Sequence, residues 1–302
     1  MSAGIVALRP LGVSEILDGS FKALRRNPAA TIGLSAIVSL VTGILTGVAT
    51  YASMHTAMAT VGGEIASRDL VLQMTGMLLA ALGGWIVDGM LAYVVAEGVL
   101  GHKPGIAEAW RVVRPRILQL IGLQLLRGLV MGAPFGFAVI LGTLVAGGNN
   151  SATVGLVVAA VGCFIWALWI GTRTGLASPA LVLERTTVRG AWQRSFTLSR
   201  GFFWRMFGIY LLGTLITSVI SSVISGVLLV MVGASTAIVM GGADVEQFLG
   251  AVLISQSVAA AVTGAITMPI MAGFVCLLYV DARMRREGLD VDLLRQATGS
   301  VR

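Results

Sequence analysis

Two kinds of segment alternate along this chain. Long stretches free of Asp, Glu, Lys and Arg cover 27–63, 70–87, 128–172, 206–243 and 247–280. A helix that crosses a bilayer needs about 20 such residues. The stretch 128–172 is too long for one crossing and contains Gly147, Gly148, Asn149, Asn150 and Ser151 in succession, a turn signal. The pattern therefore predicts six spanning helices, at about 29–54, 70–97, 117–146, 153–183, 204–233 and 250–280.

Short amphipathic segments precede the odd-numbered spans. In 14–27, Ile16, Leu17, Phe21 and Leu24 share one helical face, and Glu15, Asp18, Lys22, Arg25 and Arg26 the other. In 105–116, Ile106, Trp110, Val113 and Ile117 oppose Glu108, Arg111 and Arg114. In 188–205, Val188, Trp192, Phe196 and Ser199 oppose Arg189, Arg194 and Arg200. Helices of this kind lie in the headgroup plane, with the aromatic anchor (Phe21, Trp110 or Trp192) at the boundary. Pro28 and Pro115 are expected to end the first two, because proline cannot continue a helix interior.

The unit is repeated. Phe21 maps to Trp110, and Gly33 to Gly122, with the same offset of 89. Trp110 maps to Trp192 with an offset of 82, and Gly122 to Gly208 with 86, leaving about one extra turn in the third unit. The even spans end on matching carboxylates, Glu97, Glu184 and Asp281. The expected fold is an all-α polytopic membrane protein. It has six transmembrane helices in three repeats of interfacial amphipathic helix plus helical hairpin. One membrane domain covers 1–302, with units at about 14–99, 105–184 and 188–284 and a tail at 285–302.

Composition agrees: 56% of residues are hydrophobic, only 12% are charged, and mean hydropathy is +0.91. A soluble domain carries about a quarter charged residues. All but Arg68, Arg127 and Arg173 of the 21 basic residues fall in the N-terminal segment, the loops after spans two and four, and the tail. The positive-inside rule then places both termini in the cytoplasm and the chain in the cell inner (plasma) membrane as a multi-pass protein. The net charge of +7 is a topology signal. No soluble face is long enough to turn it into nucleic-acid binding. No signal peptide is visible, so the first span is the expected insertion signal. Cys163 and Cys276 fall inside spans, where neither a disulfide nor a thiol site is expected.

Charges inside the spans carry the candidate chemistry. Asp88, Arg127 and Arg173 lie nine to eleven residues from the inner boundary residues Glu97, Arg116 and Glu184. At about 1.5 Å per residue that is near mid-bilayer, where a lone charge is expensive and pairs. Asp88 is expected to pair with Arg127, Arg173 or both. Two readings follow: a polar cavity for an anionic headgroup or a proton relay, and a buried ion pair that fixes helix register. Glu97, Glu184 and Asp281 fit either carboxylate–arginine clamps (with Arg185, Arg189 and Arg283 nearby) or, less simply, a ring for a metal. No histidine accompanies them, and hard cations want more oxygen ligands. Arg25, Arg26, Arg111, Arg114, Arg189, Arg194 and Arg200 set topology or contact anionic lipid. Each such charge near an acidic surface is worth about 1 kcal/mol.

Gly43/Gly47, Gly132/Gly136 and Gly171/Gly175 have the spacing of close helix packing, within the bundle or along a dimer seam. Pro134, Pro179 and Pro269 fall inside spans, where a kink is the simplest expectation. No GxSxG, HExxH, P-loop or CxxC pattern appears; His55 lies past span one, and His102 reads as a loop residue.

Three stretches together, 9–21 (RPLGVSEILDGSF), 173–184 (RTGLASPALVLE) with 192–201 (WQRSFTLSRG), and 279–290 (YVDARMRREGLD), resemble actinobacterial six-span proteins. These are related to the membrane-domain family of glycerophosphoryl diester phosphodiesterases. The resemblance implies fold and location over nearly the whole chain. In those relatives the hydrolase is a separate soluble domain, and the 302 residues contain no such domain. The expected role is non-enzymatic and without cofactor or metal. The chain would bind membrane lipids, anionic ones above all, or a membrane protein partner or second copy, as scaffold or accessory subunit. A small transporter or lipid translocator using the midplane charges is the alternative.

Overall fold

A computed structural model describes residues 11–59, 67–145, 150–239 and 245–287. Arg9 and Pro10 of the N-terminal motif, the turn residues 147–149 and the tail beyond Glu287 lie outside the described residues, as does the side chain of His55. Helices account for the described architecture, and no strand occurs among the described residues. In chain order they are α1 (Val13–Arg26), α2 (Leu34–Ala59), α3 (Ser67–Val99), α4 (Ile106–Val113), α5 (Ile117–Val145), α6 (Asn150–Thr174), α7 (Ala177–Leu183), α8 (Val188–Ser199), α9 (Phe203–Val239) and α10 (Val245–Glu287). Among the described residues six segments are long and apolar enough to cross a membrane. The chain is an integral membrane protein of the six-span, all-α class.

The short helices form where local chemistry favours them. The Glu15 carboxylate of α1 accepts a hydrogen bond from the Gly12 backbone N–H at 2.7 Å, and Arg25 and Arg26 close its C-terminal turn. The Thr187 hydroxyl caps α8 by accepting from the Gly190 N–H at 3.2 Å. Pro28 and Pro115 lie at the expected stops. A π-helical turn, Ala29–Gly33, leads into α2, and a tight turn, Arg114–Arg116, leads into α5. A short helix precedes two long ones at α1–α3, at α4–α6 and at α8–α10, and the short α7 stands between α6 and α8.

Helix α10 is the hub. It packs against α1, α2, α3 and α9, while α5 and α6 form a hairpin joined to the rest through α3, α7, α8 and α9. The core occupies one end of the bundle. There Ile270, Phe274, Leu277 and Tyr279 of α10 are buried with Leu91 and Val95 of α3, Leu181 of α7 and Ile16 of α1. Toward the other end the long helices expose Ile44, Val48, Met77, Phe137, Val158, Val223 and Met231. Such an apolar exterior suits hydrocarbon and no aqueous surface.

Close approaches replace hydrophobic driving force within the bundle. A Cβ built on Gly43 would sit 2.9 Å from the Ser257 carbonyl oxygen, so α2 and α10 touch backbone to backbone there. One on Gly273 would meet Ser20 at 3.1 Å, fixing α1 against α10. Gly132 and Gly136 face open space, so that pair does not make a seam within the bundle, and a Cβ on Gly175 would crowd the Gly171 carbonyl of the preceding helix.

Three expectations are corrected. The third amphipathic segment stops at Ser199; Arg200, Gly201 (φ +81°) and Phe202 turn the chain, and Arg205 belongs to α9. Gly201 has the left-handed conformation that glycine adopts without strain. Span four is broken rather than kinked. α6 ends at Thr174, Gly175 and Leu176 form a turn, and Pro179 falls in the first turn of α7, where its missing N–H costs no helical bond. Pro134 and Pro269 lie inside continuous helices. Finally, the last helix runs on to Glu287, past the expected exit at 280, and carries Asp281, Arg283 and Arg285 as its own final turns.

Candidate functional site

The three short helices gather at one end of the bundle. Arg26 at the end of α1 donates to the Gly101 carbonyl at 2.8 Å, and Asn27 to the Pro104 carbonyl at 2.8 Å, in the loop before α4. Tyr93 of α3 donates to Glu108 of α4 at 3.1 Å. α8 is tied by Arg194 to both Glu184 and Glu287. This end therefore collects the C-termini of α3, α7 and α10 beneath α1, α4 and α8.

Two of the three matching carboxylates, Asp281 and Glu184, dock other segments, and the third does not. Asp281 is 2% exposed and accepts from the Leu11 N–H at 2.8 Å, from Arg285 at 2.9 and 3.1 Å, and from Arg205 at 3.2 Å. Arg205 and Arg285 also hold the Leu11 carbonyl. The chain entering α1 is thus clamped to the ends of α9 and α10. Glu184 receives both of its oxygens' partners from Arg194 Nε, at 2.9 and 2.8 Å, and a further hydrogen bond from the Tyr279 hydroxyl. Arg283 stands 3.8 Å from Glu184 and 3.0 Å from Glu287. Burial opposes the Arg194 charge, but the hydrogen bond and field of Glu184 and the field of Glu287 outweigh it. Its guanidinium is held above its ordinary range. Glu97 departs from the expected arginine clamp: its partner is His102, Nδ1 to Oε2 at 2.8 Å. The clamps hold for two of the three sites, with Arg194, Arg205 and Arg285 as the main partners in place of Arg185 and Arg189.

The intramembrane charges are not brought together as expected. Asp88 accepts a hydrogen bond from the Ser178 hydroxyl at 2.8 Å, and no ion pair within 4.0 Å joins it to an arginine among the described residues. The cause is the break in span four, which sets the first turn of α7 against α3 and delivers Ser178 to the carboxylate. Arg127 lies close enough to act on Asp88 through its field, but donates to the Gly171 carbonyl near the end of α6 at 3.4 Å.

Arg173 is placed elsewhere again. Its guanidinium carbon lies 5.4 Å from the centroid of Trp169, 5.8 Å from Phe196 and 5.7 Å from Phe203. Its carbonyl accepts from Ser195 of α8 at 2.6 Å. Phe203 opens α9, two residues before the Arg205 that binds Asp281. Arg173 is thus level with the charged end of the bundle, not with its middle. Counting residues back from Glu184 overstates its depth because α6 and α7 are not one helix.

The aromatic anchors divide. Trp110 is 43% exposed on α4. Phe21 and Trp192 pack partly against the core, and Trp192 stacks on Phe196 at 5.9 Å. The basic residues divide too. Arg26 and Arg194 are spent on the protein. Arg25, Arg111, Arg114, Arg189 and Arg200 are exposed, and their side chains form no ion pair among the described residues. Unanticipated partners are Tyr279, Glu287, Ser195 and Phe203. Of these, only the i,i+4 spacing of Trp169 and Arg173 gave a prior hint of the aromatic frame.

Comparison with protein-family models, with curated proteins and with solved structures finds no match.

Proposed function

We propose that this protein is a non-enzymatic inner-membrane protein that holds anionic lipid against its cytoplasmic face, as a scaffold or accessory subunit for membrane partners. The observation that carries the reading is the segregation of charge. Five exposed arginines that form no ion pair among the described residues sit on the turns and short helices of one end, while Glu184, Asp281 and Glu287 of that end are taken up by Arg194, Arg205, Arg283 and Arg285. Such a face attracts acidic headgroups, at about 1 kcal/mol per charge. The resemblance to the membrane domain of glycerophosphoryl diester phosphodiesterase relatives fits this reading, with membrane attachment and no hydrolysis as its content. The positive-inside rule supports the cytoplasmic placement.

The translocator alternative draws on the broken span beside Asp88, since interrupted helices frame many substrate sites. It is weakened by the dispersal of the three charges onto Ser178, Gly171 and an aromatic frame.

Thermal unfolding in nanodiscs tests the proposal. A ligand that binds only the folded state raises its stability by mass action. The midpoint is expected to be higher in phosphatidylglycerol-containing discs than in phosphatidylcholine discs, with the gain shrinking as salt rises. Equal midpoints, or turnover of the lipid by the pure protein, would overturn it.

A further inference from the structure

We infer that Arg173, with Trp169, Phe196 and Phe203, forms a discrete seat for the phosphate of one glycerophospholipid, entered laterally between α6 and α9. The inference rests on the anionic-lipid reading above and gives it a specific site.

The first observation is an unspent cation. A guanidinium has five N–H donors. None of those of Arg173 meets a protein acceptor among the described residues, and its buried Nε has no partner. Arg194, Arg205, Arg283 and Arg285 in the same end all reach carboxylates. A buried or half-buried charge without an anion is costly, which singles out Arg173 as a position whose counter-ion comes from outside the chain.

The second is the frame. Rings from three different helices surround the guanidinium at 5.4–5.8 Å. Aromatic faces attract a cation and hold its plane, but they supply no hydrogen-bond acceptors of ordinary strength. They fix the direction of the donors without using them up. The fork geometry of arginine suits a phosphate's paired oxygens.

The third is position. The frame lies at the level of the docking carboxylates, where headgroups lie if that end faces the cytoplasm. It continues outward into an exposed aromatic surface: Trp166 and Trp169 on α6 pack at 5.5 Å, and Phe203, Trp204 and Phe207 cluster on α9. Trp204 is 79% exposed. Aromatic rings at this depth accept acyl chain and glycerol on one side and water on the other. A lipid is the ligand this surface fits. A free phosphate ion would use the cation and leave the rings idle.

Native mass spectrometry of protein released from phosphatidylglycerol nanodiscs tests the seat. Wild type is expected to retain one phospholipid at collision energies that strip the others. Arg173→Gln should lower that occupancy at least tenfold. Arg173→Lys, which keeps the charge but loses the fork, should lower it severalfold. Thermal unfolding certifies that each variant is folded, and Phe203→Leu, which removes one ring and no charge, is the second probe and should also reduce occupancy. A variant that replaces Arg25, Arg111, Arg114, Arg189 and Arg200 with alanine should keep the single lipid while losing the salt-sensitive stabilisation. Unchanged retention in folded Arg173→Gln overturns the seat and leaves the broader reading standing. Loss of the single lipid in the five-arginine variant but not in Arg173→Gln also overturns it. Retention of inorganic phosphate by wild type in place of lipid assigns the site to a free anion and overturns the lipid seat.

Discussion

Single side chains at the charged end act by completing one another's valences. Asp281 is the extreme case, a nearly enclosed carboxylate that answers a backbone N–H and two arginines. Replacing it with alanine leaves Arg205, Arg285 and the Leu11 N–H without their acceptor. Removing one partner of a buried charge network costs about 3–5 kcal/mol. Asp281→Ala should therefore lower thermal stability severely, and a folded protein within about 1 kcal/mol of wild type would refute the clamp. Asp88 is the contrasting case. Among the described residues its hydrogen bond comes from Ser178, and an asparagine oxygen can accept the same bond. Asp88→Asn should unfold within about 1 kcal/mol of wild type, whereas Ser178→Ala should cost about 1.5–3 kcal/mol by leaving a carboxylate short of a donor. If the asparagine variant is the more damaged of the two, charge rather than hydrogen bonding holds that site.

At the scale of helices, spans and short amphipathic segments were legible because charge-free length and 3.6-residue periodicity are local properties. The docking of the short helices was legible in kind, because carboxylates at matching span ends have few uses. The partners were not. Which arginine meets Glu184 depends on where α8 begins and how α10 continues past residue 280, and neither is visible in a hydropathy profile. The break at Gly175 and Leu176 was missed for a similar reason: it removes no apolar residue, so span four looks continuous, and Pro179 suggests a kink where it really starts a helix. That break changed the most. It moved Ser178 to Asp88, moved Arg173 out of the midplane and dissolved the expected charge trio. Helix contact carries its own prediction. Gly43 lets α2 meet the backbone of α10 at Ser257, so Gly43→Val forces the pair apart. Overpacking of this kind costs about 1–3 kcal/mol. The same change at Gly132, which faces open space, should leave the melting temperature nearly unchanged. Equal effects at both positions would contradict the packing described.

For the whole molecule, the two ends differ in kind. One is cored, clamped and basic; the other exposes long apolar helices. A bilayer suits the second, and the proposed contact with acidic headgroups would answer the arginines of the first that form no ion pair among the described residues. The most direct test is the lipid composition around the protein, extracted from its own membrane in polymer nanodiscs without detergent. Anionic headgroups should be enriched over the bulk membrane around wild type, and the enrichment should disappear when Arg25, Arg111, Arg114, Arg189 and Arg200 are all changed to alanine. A wild-type patch with the composition of the bulk membrane, indistinguishable from that of the five-arginine variant, would contradict the account.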